Sequence, residues 1–256
     1  MILANLTKAL RTQNWFAVTL EFLIVIAGVV IGFQITAWNE DRAEREAAED
    51  YVERLQEELL FNRTQMDTQT VYANWVRTHI IATLDALQSD DSALGMEFIV
   101  DAYIAGHGVG APIQTEALTE LISTGAYRSI PDVEVQQQVL RFYQTTQYAE
   151  GILTTVSEYQ SALRRNMPHD IINQLRQSCA AEFVTNQQGQ PEFAIRDTCP
   201  PELPDQIVAD AISELTAADL VPELREALAL AEVKSNNIVR VRAAADDALA
   251  ALERLE

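Results

Sequence analysis

The chain has 256 residues, with 18 Lys and Arg against 38 Asp and Glu, a formal net charge of -20, and 48% hydrophobic residues. That apolar content excludes a disordered tail, and the acid excess leaves too little positive charge to neutralise a nucleic-acid backbone. Two cysteines and three histidines are a poor basis for a tetrahedral zinc site, and the sparse Gly (9) and Pro (8) disfavour turn-rich all-β folds.

Residues 1–15 carry Lys8 and Arg11 and no acid. From Phe16 to Trp38 the chain reads FAVTLEFLIVIAGVVIGFQITAW, in which Glu21 is the single charge. A helix of that length spans roughly 34 Å at 1.5 Å per residue, enough to cross a bilayer core. Trp15 and Trp38 bracket it as interfacial aromatics do. A buried helix of a soluble protein is the alternative. A cleaved signal peptide is disfavoured, because the stretch before the apolar run is long and no A-x-A-like pair follows. The short basic N-terminus favours an N-inside orientation, although Arg42 and Arg45 follow the span and nearly balance the bias.

Within the span, Glu21, Gly28 and Gly32 fall within roughly 20° of one helix face, at about 100° per residue. Small residues four apart let helices approach closely in lipid, and intramembrane carboxylates usually face protein or water. Glu21 therefore reads as part of a helix–helix contact. The competing reading hydrates it at the inner interface, only six residues beyond Trp15.

After Trp38 the helical pattern continues as a stalk over 39–61, with Asp41–Arg45 and Asp50–Arg54 in the favourable i,i+4 order. Ala48, Tyr51, Val52, Leu55 and Leu59 give it an apolar stripe. Trp75, Ile80, Leu84 and Leu87 extend that stripe to about Ser89, and the segment 90–93 reads as a turn. Met96 to Ala105 is a short helix. Ala105–Pro112 (AGHGVGAP) is the one Gly-rich stretch; it lacks the G-K-[ST] ending and the Rossmann spacing, so it reads as a flexible loop with a solvated His107. Thr115 to Thr124 forms a helix that Gly125 terminates. Pro131 opens a long helix from Asp132 to about Asn166, with Gly151 as its weak point.

Residues 167–204 read as a polar loop excursion. Cys179 and Cys199 flank a polar stretch there and read as a disulfide, with two unrelated buried thiols as the alternative. A disulfide persists outside the cytosol. Ile207 to Leu215 is a short helix. Thr216 or Asp219 caps the last helix, which has Pro222 in its first turn and runs to the C-terminus through Leu224, Leu228, Ala231, Ile238, Val241, Ala248 and Leu252. No period-2 run of useful length and no internal repeat are visible.

The run E-F-L-I-V-I-A-G-V-V-I-G-F-Q-I-T-A-W-N-E, Glu21 to Glu40, resembles an uncharacterised family of bacterial single-pass membrane proteins. In that family a Glu and a Gly-containing aliphatic run lead to Q-I-x-x-W-N-E. The matching positions are Glu21, Gly28, Gln34, Ile35, Trp38, Asn39 and Glu40. Tyr51 to Leu59 and Thr115 to Gly125 are similar to later shared segments. The resemblance implies a bacterial inner-membrane setting and no established activity.

The expected fold is all-α: a transmembrane helix over 16–38, continuing into a stalk and a periplasmic helical bundle over 62–256, with residues 1–15 cytoplasmic. Gln34, Trp38, Asn39 and Glu40 would form the membrane junction. No catalytic set, cofactor motif or metal-binding spacing is present, and acid pairs such as Glu57–Glu58 and Asp90–Asp91 read as solvated faces. The expected function is a non-enzymatic assembly protein. It would act as an accessory subunit of an inner-membrane complex or as a homo-oligomer, contacting the lipid bilayer and no nucleic acid. A periplasmic ligand-binding or sensing module acting through a partner is the alternative, and an enzyme is the third reading.

Overall fold

The computed structural model describes residues 15–89, 94–110, 112–185, 191–195, 199 and 203–255. Among them are eight α-helices, two 3-10 turns and one two-stranded sheet. The chain divides into two units, Met1–Tyr51 and Val52–Glu256, each taken by itself below. Helix α1, Trp15–Gln88, contributes residues to both.

In the first unit, Thr19–Glu40 is a helical stretch long and apolar enough to cross a membrane, and none of it is buried. Thr36 donates its hydroxyl to the Gly32 carbonyl at 3.0 Å, which satisfies the hydroxyl inside the helix without a partner. Further on, the exposed Arg42 and Glu46 pair at 2.8 Å across one turn. Asp41 and Arg45, expected to pair, have side chains outside the described residues.

The second unit is a helical bundle. Leu55, Leu59, Met66, Ala73, Val76 and Ile80 of α1 are buried at the spacing of one helix face. α2 is Met96–Ala105, α3 is Glu116–Thr124 and α4 is Val133–Leu153. α5 is Glu158–Asn166, α6 is His169–Cys179, α7 is Asp205–Ala217 and α8 is Val221–Leu252. α4 and α8 pack most extensively. α8 makes this possible by burying Ala231, Ala244, Ala245, Ala248 and Ala251, whose short side chains let the two helix backbones approach. Val135, Val139, Phe142 and Leu153 of α4 fill the space this leaves.

α1 and α8 run antiparallel. Arg63 pairs with Asp246 at 3.3 Å, Asp67 with Arg242, and Arg77 with Glu232 at 3.5 Å, so each step forward on α1 is matched by an equal step back on α8. These pairs are well exposed, so they set register more than stability.

Several helix ends follow the sequence closely. Gly125 closes α3 at φ +77°, the left-handed conformation that glycine adopts without strain. Asp132 caps α4, its carboxylate accepting from the amides of Glu134 (2.7 Å) and Val135 (3.4 Å). Others depart from it. The long helix expected over 132–166 breaks after Leu153, beyond Gly151, and resumes at Glu158 under a cap from Ser157. The interrupting residues Thr154, Thr155 and Val156 are β-branched and favour helix less than their neighbours.

The excursion expected over 167–204 is not a plain loop. It contains α6 and an antiparallel hairpin, β1 Glu182–Thr185 and β2 Pro191–Ala194, with Phe183 opposite Phe193. The all-α expectation is therefore corrected to a mostly helical fold with one short hairpin. Neither Thr216 nor Asp219 caps α8. Thr216 donates back to the Ile212 carbonyl at 2.7 Å, Asp219 turns the chain at φ +46°, and Leu220 occupies the cap position without a side-chain bond. Cys179 and Cys199 are joined as a disulfide, their Cα atoms 4.9 Å apart.

Candidate functional site

The residues singled out in the apolar segment all lie in α1. Glu21, Gly28 and Gly32 are exposed, and the uninterrupted helix between them places the three on one face. Among the described residues, an added Cβ at Gly28 or Gly32 would meet nothing within 4 Å beyond the neighbouring backbone of its own helix. Gln34, Trp38, Asn39 and Glu40 follow on the same helix, also exposed.

In the bundle, the structure builds a second polar constellation that the sequence reading missed. Lys234 of α8 is 4% exposed, and its ammonium donates to three backbone carbonyls: Val109 (2.6 Å), Leu153 (3.0 Å) and Thr155 (2.5 Å). Leu153 is the last residue of α4, so the ammonium sits where the helix dipole favours a cation and where carbonyls lack helical partners. One side chain thus joins the helix break to the Gly-rich loop. Burial pushes the Lys234 amine down, opposed by the nearby Glu226 carboxylate. The signal in the sequence was its register: Lys234 falls between Ala231 and Ile238 on the apolar face of α8.

The Gly-rich loop is consequently held rather than flexible. Ala105, Gly106 and Val109 are buried. A Cβ on Gly106 would lie 2.4 Å from Leu163 Cδ2, and one on Gly110 would lie 2.6 Å from the Leu153 carbonyl oxygen. At Gly110 the close approach is to backbone and requires glycine, whereas at Gly106 the Leu163 side chain would have to shift. Ala111 lies outside the described residues.

His107 is not solvated. It packs edge-on against Tyr103 (4.8 Å between centroids) and at a tilt against Trp75 (5.8 Å). Burial first, and His79 second, lower its pKa to about 4, so its ring is neutral at pH 7. Its Nδ1 is buried without a hydrogen-bond partner among the described residues. Trp75 also meets His79 edge-on at 5.3 Å, and His79 Nδ1 donates to Asp101 Oδ1 at 2.6 Å. Tyr72 stands next in the row, 5.7 Å from Trp75.

Two further polar groups of α1 hold backbone. Glu58, expected on a solvated face, is 6% exposed, and its carboxylate accepts from the amides of Ala117 (2.7 Å) and Leu118 (3.2 Å). It caps the first turn of α3 from a different helix. Burial raises its pKa, and the two amides act against that. Asn62 pairs with both backbone groups of Gln114, at 2.7 and 2.9 Å. Asp90 and Asp91 lie outside the described residues.

Two small cavities adjoin these described residues and α4. One of about 20 Å³ is lined by Val76, Ile80, His107, Ser157, Leu230 and Lys234 among others. The other, about 60 Å³, lies between Thr115, Thr119, Tyr143, Thr146, Gln147 and Glu150. At roughly 10–15 Å³ per water these hold one and a few waters respectively. No group of three or more His, Cys, Asp and Glu able to hold a metal ion occurs among the described residues. The three protons of the Lys234 ammonium are all engaged, so this arrangement holds backbone rather than offering a free nucleophile.

No protein-family model matches the chain, and neither a curated protein nor a solved structure matches it.

Proposed function

We propose that this chain is a non-enzymatic, single-pass membrane protein whose bundle lies in the bacterial periplasm and which works by assembly. It is an accessory subunit of a larger inner-membrane complex, or failing that a homo-oligomer. The observation that carries the reading is the Thr19–Glu40 stretch: apolar, entirely exposed, and bearing a carboxylate on the same face as two glycines. A lone carboxylate in a bilayer is unfavourable unless protein or water meets it. A cationic or polar group of another protein satisfies it better than an identical carboxylate does, which favours the accessory subunit. The disulfide supports placement of the bundle outside the cytosol. The resemblance of the Glu21–Glu40 run to bacterial single-pass proteins points the same way. In the bundle, the buried charges Lys234 and Glu58 are engaged in holding backbone, which suits a scaffold.

The test is the composition of the particle obtained by mild-detergent extraction from the source membrane. Recovery with a larger membrane protein at fixed ratio supports the accessory subunit. A single species containing only copies of this chain supports the oligomer, and a lone chain overturns both.

A further inference from the structure

We infer that the Cys179–Cys199 disulfide is a redox-sensitive latch that keeps the β1–β2 hairpin seated on Tyr72 of α1, so that a dithiol reductant uncovers the Tyr72 ring. The inference does not depend on the membrane reading, since every residue it uses belongs to the bundle.

The hairpin has two strands of four residues each. An isolated two-stranded hairpin of that size is marginal in water, so something outside the hairpin must hold it. The ring contact that does so is Phe193 on β2, stacked on Tyr72 at 4.4 Å between centroids and 20° between planes. Tyr72 begins a row of rings that continues through Trp75 to His79 and His107, and from His107 to Tyr103. The hairpin therefore covers the open end of a row whose other end is the Gly-rich loop.

The disulfide closes the chain interval that contains the hairpin, linking the last residue of α6 to a position 20 residues on. Among the described residues, a stacked ring and a covalent link thus help hold a segment that local propensity does not. Closing the loop restricts the separated hairpin far more than it restricts the bundle, which has its own core.

The two cysteines differ in residue exposure. Cys179 is 2% exposed, whereas Cys199 is half-buried. A dithiol thiolate attacks Cys199 Sγ, the S–S bond breaks, and Cys179 leaves as a thiolate that takes a proton. The second thiol of the reagent, as its thiolate, then attacks its own sulfur in the mixed disulfide and releases Cys199. Two electrons pass from the dithiol, which ends as a cyclic disulfide, to the protein, which ends with two thiols.

Hydrogen exchange on the full chain in detergent micelles, with and without dithiothreitol, tests this. The expected result is at least tenfold faster exchange of the amides of Glu182–Thr185 and 192–194 on reduction, with faster exchange around Tyr72 and no change in Val221–Leu252. Unchanged hairpin exchange in the reduced chain overturns the latch. Equal acceleration across Val221–Leu252 also overturns it, because the bond would then be a general staple. The Cys179→Ser, Cys199→Ser double variant without reductant must reproduce the reduced pattern; if its hairpin stays protected, the effect belongs to the reagent and the proposal fails.

Discussion

Lys234 and Glu21 are both ionisable groups set among apolar side chains, one in the bundle and one in the exposed apolar stretch. Three backbone carbonyls meet the Lys234 ammonium, and two backbone amides meet the Glu58 carboxylate in the same unit. Among the described residues, no group of this chain is seen to bond the Glu21 carboxylate. The bundle satisfies its buried charges from within, as isolated charges in low dielectric require. On the proposed reading the apolar stretch leaves the same requirement to something outside the chain, and that difference is the basis for proposing the stretch as a contact surface.

Breaking the internal match should have the largest effect. Lys234→Met keeps the stem but leaves carbonyls of Val109, Leu153 and Thr155 without their donor. Orphaned buried acceptors cost about 1–3 kcal/mol each, partly recovered by water, so urea unfolding should show a loss of about 3 kcal/mol or more. A loss below about 1 kcal/mol would mean the ammonium is not what holds the loop.

His107 sharpens the comparison through pH. Its folded pKa, about 4, lies below the ordinary value of 6.5. The unfolded chain therefore binds more protons between those values, and stability contributed by the neutral ring is complete above pH 6.5 and lost as pH falls toward 4. The loss should amount to roughly 3 kcal/mol at most. It should appear as the difference between the unfolding profiles of the native chain and His107→Phe, since the many carboxylates contribute to both.

Gly110→Ala should cost about 2 kcal/mol, because its Cβ would strike the Leu153 carbonyl that Lys234 binds. Gly108→Ala, whose Cβ would sit at an ordinary 3.6 Å from Gln160 Nε2, is the control and should stay within about 0.5 kcal/mol in the same assay. Glu58→Ala removes a cap and should cost about 1–2 kcal/mol, with the extra hydrogen exchange confined to the first turn of α3.

The legible parts of the fold were those set by local chemistry. The limits of α2, the glycine closing α3 and the start of α4 just after Pro131 all follow from periodicity and local chain chemistry within a few residues, whereas the Asp132 cap itself was not read. The break at Leu153 was not legible in that way, because its carbonyls are satisfied by Lys234, distant in sequence and near in space. The hairpin escaped notice because four-residue strands are too short to show an alternating pattern. The disulfide was readable as a pair closing a polar interval, but not the helix and hairpin within it. Glu57 and Glu58 look alike in sequence, and only the position of α3 separates the exposed one from the buried one. His107 belongs to the same class: a loop histidine is buried or not according to what packs over it, here Trp75 and Tyr103.

The central claim is that Glu21 is met by a group outside this chain. It is tested most directly by the native mass of the full chain extracted in mild detergent from its source membrane, with Glu21→Ala measured beside it. The account predicts that the native chain travels in a larger particle and that the Glu21→Ala chain shifts to the mass of a single chain in detergent. Identical masses for the two would contradict it.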